Sequence, residues 1–169
     1  MATVSEILLA VSKRDYETLR KLKLKDSKEA NQVEAIIRNL GISYRDAELL
    51  KSYSFYYRTA LHNNVKDPEV FRFILSVLEG MSFDMPDYVW HDASEEVLDI
   101  LIRNGYRATL RQLSDENRVM YLTKVPITAE MINEVTDFIL SIGDAYKREI
   151  YLEFIPEPIR ETIESQCSD

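Results

Sequence analysis

The chain has 169 residues, about one ordinary domain; at 46% hydrophobic and 30% charged it can fill a core and is not compositionally disordered. Four glycines and five prolines are too few turn formers for an all-β sandwich, and one cysteine, Cys167, excludes a disulfide framework and a Cys-based zinc site. The formal net charge of −8 is unevenly spread: residues 1–66 hold 12 Lys+Arg against 8 Asp+Glu, and residues 67–169 hold 9 against 21.

Two histidines, His62 and His91, leave little imidazole chemistry. No apolar run approaches the ~18 residues of a membrane span. The start, MATVSEILLAVSKRD, has an acid before its short apolar run and no basic segment, so a signal peptide is not expected and an intracellular, cytoplasmic protein is.

In chain order, SEILLAVSKRDYETLRKLK (5–23) reads as a helix, a polar turn and a second helix opened by Asp15. Val33, Ile36, Ile37 and Leu40 form a helical stripe before Gly41. Tyr53-Ser54-Phe55-Tyr56-Tyr57 is the best strand candidate, though short. Asp67-Pro68-Glu69 provides a cap and an N1 proline for the stripe Val70, Phe73, Ile74, Val77, which precedes Gly80. Ser94 caps a helix with Val97, Leu98, Ile100, Leu101 and Ile102, ending at Gly105. Thr128 caps another, with Ile132, Val135, Ile139 and Ile142 before Gly143. Pro156 and Pro158 break the next helix and open a last short one, whose tail with Cys167 is expected to fray. Each glycine is expected at the left-handed position that closes a helix. Their mean spacing of 34 residues lies in the range of helical repeat arrays.

Thr59-Ala60-Leu61-His62, then Glu69-Val70 and Phe73-Ile74-Leu75, with Gly80 closing, resembles an ankyrin repeat. Residues 5–23 look like an N-terminal ankyrin cap, and Trp90-His91-Asp92-Ala93 with EEVLDILIRNG resembles a shortened second unit. The resemblance implies an all-α, short and irregular solenoid of stacked helix pairs. It would form one domain over 1–169, with units 1–41, 42–80, 81–105 and 106–143 and a cap over 144–169. It implies that Thr59 caps a first helix and that His62 ties neighbouring units by hydrogen bonds. Asn63-Asn64 departs from the small alanines of that family.

Such a fold implies a partner-binding function without catalysis, and no cofactor or metal is called for. Tyr53, Phe55, Tyr56 and Tyr57, with Met85, Tyr88 and Trp90 of the next aromatic group, are of types enriched at interfaces. About half of these rings are expected in the core, since exposing all would leave a large sticky patch. The acidic remainder suits a protein partner with a basic surface, and by analogy with small ankyrin-like proteins an inhibitor or effector acting on a host or regulatory protein, in the host cytosol or nucleus. Two alternatives stay open. Lys13, Arg14, Arg20, Lys21, Lys23, Lys25 and Lys28 could track nucleic-acid phosphates, although interleaved acids and the overall charge weigh against it. His91, Asp92, Glu95 and Glu96 have i,i+4 spacing that a metal-dependent hydrolase could use, although a capped helix start explains them as well. Glu149, Glu153, Glu157, Glu161 and Glu164 form either a solubilising cap or a docking face.

Overall fold

Twelve α-helices and two 3-10 turns make up the computed structural model, which describes residues 2–167; no strand occurs among the described residues. The protein is all-α. It divides into two compact units, Met1–Phe83 and Asp84–Asp169.

Three helix pairs form the first unit: α1 (Val4–Ser12) with α2 (Tyr16–Leu19), α3 (Ser27–Ser43) with α4 (Ala47–Ser52), and α5 (Tyr57–Asn63) with α6 (Pro68–Val77). Across pairs, α1 lies against α3, α2 against α4, and α6 against both α3 and α4. Ile7, Ala10, Leu19, Val33, Ile37 and Leu49 meet in one apolar core.

The first two pairs turn by the same device. Helix α1 closes with Arg14 N–H donating to the Val11 carbonyl (3.0 Å) and Asp15 N–H to that of Ala10 (2.9 Å). Helix α3 closes with Arg45 N–H on Ile42 (3.2 Å) and Asp46 N–H on Gly41 (2.8 Å). This crossed pair of bonds is the Schellman closure. Arg14 and Arg45 occupy its left-handed position, both at φ 54°. Asp15 and Asp46 then cap α2 and α4, accepting from the amides of Thr18 (3.1 Å) and Leu49 (3.0 Å). Asp67 caps α6 by accepting from Val70 N–H at 3.1 Å, with Pro68 in the first turn.

The second unit contains α7 (Asp87–Asp92), α8 (Glu95–Arg103), a 3-10 turn (Leu110–Gln112), α9 (Asp115–Lys124), a second 3-10 turn (Ala129–Met131), α10 (Ile132–Leu140), α11 (Ala145–Leu152) and α12 (Ile159–Cys167). Its core joins Trp90 and Tyr121 edge to face at 6.3 Å with Val97, Leu98, Leu101, Leu110 and Leu113. Asn117, itself buried, donates its amide to the carbonyls of Trp90 (3.0 Å) and Ala93 (3.0 Å), satisfying the open end of α7.

Several expectations are corrected. Gly80 and Gly105 do take positive φ, 84° and 88°, but Gly41 lies inside α3. A Cβ there would stand 2.5 Å from Leu50 Cδ2, so the glycine serves the close approach of α4. Gly143 has no positive φ, and α10 stops at Leu140 before it. Residues 53–56 form a connection and Tyr57 opens α5, so no strand forms there; the Tyr56 amide donates to Glu34 and the Tyr57 amide to the Phe55 carbonyl. Thr59 stands within α5 and does not cap it; Tyr56 holds that position without a side-chain bond. Thr128 likewise precedes a 3-10 turn without a capping bond. Cys167 is the last residue of α12 and half-buried.

Candidate functional site

The aromatic segment joining α4 to α5 is built on a buried carboxylate. Glu34, on the inner side of α3, is wholly buried. One turn on, Arg38 donates to it through Nη1, at 2.5 Å to Oε1 and 3.3 Å to Oε2, with its own side chain 12% exposed. The Tyr56 amide also donates to Glu34 Oε2, at 3.3 Å. The carboxylate thereby joins the connecting segment to α3. Burial holds the Glu34 carboxyl above its ordinary value, against the opposing pull of Arg38 and the Tyr56 amide.

Around this anchor the rings divide. Tyr56 is 44% exposed, and its hydroxyl donates to Asn31 Oδ1 of α3 at 2.6 Å. Tyr53 and Phe55 are half-buried, and burial raises the Tyr53 phenol. Tyr57 is half-buried against Phe83, centroids 5.1 Å apart, with the Arg58 guanidinium 5.8 Å from its centroid. So the segment is fixed at its backbone, at one hydroxyl and at one ring, and it presents Tyr56 to solvent.

The other predicted rings lie in the second unit. Trp90 of α7 and Met85 just before that helix are 1% and 8% exposed, which places both in the core and leaves them little face for a partner. Tyr88, 38% exposed, borders an open groove with Asp87, His91, Arg111 and Gln112.

No protein-family model, curated protein or solved structure matches the chain. The ankyrin resemblance therefore stands on its residues alone. His62 is exposed on α5.

His91 Nδ1 lies 2.9 Å from Asp92 Oδ1 on the surface, while Ser94 caps α8 by accepting from Val97 N–H at 3.2 Å. Glu95 and Glu96 fall in the first turn of α8, where they complement its dipole. Among the described residues, no group of three or more His, Cys, Asp or Glu is placed to hold a metal ion. Within the basic cluster, Lys21, just past α2, pairs with Glu17 of that helix at 3.7 Å, and Arg20 reaches Glu48 at 3.9 Å. No helix among the described residues is long and apolar enough to cross a membrane.

Sequence reasoning missed Glu34, Arg38 and Asn117. A charged residue in the stripe Val33-Glu34-Ile37-Arg38 reads as the solvent face, and only the packing of the 53–57 segment over α3 turns it inward. Glu34 and Arg38 at i,i+4 is the one signal that pointed to them.

Proposed function

We propose that the protein is a non-catalytic recognition module of the cytoplasm, which docks a protein partner on the aromatic segment 53–57. The observation that carries this reading is the double hold on Tyr56: its amide on buried Glu34, its hydroxyl on Asn31, the residue still 44% exposed. A tyrosine fixed before docking loses little side-chain freedom on binding, so more of its contact energy remains as affinity. Tyr88 is a second exposed ring of the predicted set, on the other unit.

The helix pairing of the first unit supports reading it as a short solenoid. Helix α1 packs on α3, α2 on α4 and α4 on α6, as successive units do in repeat arrays, while α3 meets α6 and so departs from a regular stack. An ankyrin-like origin is the family that the 59–80 segment suggests, without the capping role for Thr59. The strongly acidic second unit favours a partner with basic character, host or regulatory, whose approach it would steer.

The test compares proteins captured from cell extract by the wild-type chain and by Tyr56→Ala. Tyr56 is exposed, so the variant keeps its helical circular dichroism. The reading expects a captured protein that disappears with the ring, and a capture profile unchanged by Tyr56→Ala would refute it.

A further inference from the structure

A groove of about 490 Å³ lies in the first unit, between the end of α2, the segment after it and the end of α4. Leu19, Leu22 and Leu24 give it apolar walls, and Tyr53 adds a ring at one side. Arg20, Lys23 and Lys51 also line it, and all three are exposed to solvent. Among the described residues, no carboxylate lines it. Among the described residues, the acid paired with these cations is Glu48, 3.9 Å from Arg20, with both side chains more than half exposed; a stronger anion can displace such a contact. Lys23 and Lys51 make no ion pair among the described residues. The segment that carries Lys23 is held in place. Leu22 N–H donates to the Leu19 carbonyl (3.3 Å), and Ala2 N–H donates to that of Lys23 (3.3 Å).

We infer that this groove binds a small organic phosphate of the nucleoside-phosphate class, its phosphate between Lys23, Lys51 and Arg20 and its ring against Leu22, Leu24 and Tyr53. Three features of the site choose that class. The volume suits a ligand of drug or nucleotide size, about 300–1,000 Å³. Two unpaired ammonium groups match the charge of about −2 that a phosphate monoester carries at neutral pH, and exceed what a single carboxylate balances. Three cations in a short groove walled by leucines do not make an extended track for a polynucleotide, and the net charge of −8 repels one. The proposal does not depend on partner docking by Tyr56.

Calorimetric titration of the full-length protein at low salt, with adenosine monophosphate, adenosine, inorganic phosphate and a ten-nucleotide single-stranded RNA as probes, tests it. Adenosine monophosphate should bind, at least about tenfold more tightly than either adenosine or inorganic phosphate. Replacing both lysines (Lys23→Ala, Lys51→Ala) should weaken it at least about tenfold per lysine, the worth of one hydrogen bond to a charged group, with circular dichroism unchanged since both are exposed. Absence of binding at millimolar monophosphate, or equal binding by the double variant, would overturn the proposal. So would equal affinity for adenosine or inorganic phosphate, or a tighter complex with the RNA.

Discussion

At the scale of single residues, Glu34 is held between the Arg38 guanidinium and the Tyr56 amide with no exposure to water. Removing one partner of a buried pair leaves the other charge without compensation, which costs about 3–5 kcal/mol. Arg38 keeps a small exposed edge, so Glu34→Ala should cost about 3 kcal/mol, read as a drop in urea midpoint. Glu34→Met combined with Arg38→Met should recover most of that loss, because neither charge is then buried. The pH dependence has a definite sign. Burial raises the folded-state Glu34 above the ordinary 4.5, so between 4.5 and the raised value the folded chain binds more protons than the unfolded one. Stability from this group is present below 4.5 and falls as pH rises through that window. Glu34→Gln keeps an acceptor for both donors and carries no charge, so its stability relative to wild type should rise from pH 4 to pH 7. A constant difference across that range would contradict the assignment.

At the scale of elements, the helix joints are a sequence rule made physical. Ser12-Lys-Arg-Asp-Tyr-Glu-Thr-Leu19 and Ser43-Tyr-Arg-Asp-Ala-Glu-Leu-Leu50 agree at five of eight positions and fold alike: left-handed Arg, capping Asp, buried Leu. Asp67-Pro-Glu-Val-Phe71 and Ser94-Glu-Glu-Val-Leu98 repeat the cap, the acid two residues on and the buried residue two beyond it. Glycine spacing therefore read the helix ends well at Gly80 and Gly105 but overlooked the arginines that end α1 and α3. An arginine in a left-handed turn is not a visible stop signal, whereas Asp followed by Glu is. The partition of the aromatic rings was illegible for a different reason. Met85, Tyr88 and Trp90 are equivalent candidates in the sequence until α7 and the segment before it pack, which buries Met85 and Trp90 and leaves Tyr88 exposed. Two substitutions check the joints. A left-handed non-glycine residue costs about 1–2 kcal/mol, so Arg14→Gly should raise the melting temperature, less the ~0.5–1 kcal/mol of added unfolded-chain entropy. Gly41→Ala should lower it. Its Cβ would press on the buried Leu50 Cγ at 2.6 Å, and overpacking of about 1–3 kcal/mol outweighs the ~1 kcal/mol gain in helix propensity.

At the scale of the whole molecule, charge follows the division of the chain. Residues 1–83 hold 13 Lys+Arg against 11 Asp+Glu, and residues 84–169 hold 8 against 18. A basic partner should accordingly associate more slowly as salt is raised, with dissociation little changed, because an acidic surface acts on approach more than on the docked contact. The all-helical class could be read from periodicity and caps. The site could be read only as a segment, since its anchor, Glu34, lies 22 residues before the tyrosine it holds. Quantitative mass spectrometry of proteins captured by the wild-type chain and by Tyr56→Ala bears most directly on partner docking by this segment. A partner retained by the wild type and lost by the folded variant is the predicted result, and identical capture by the two would contradict it.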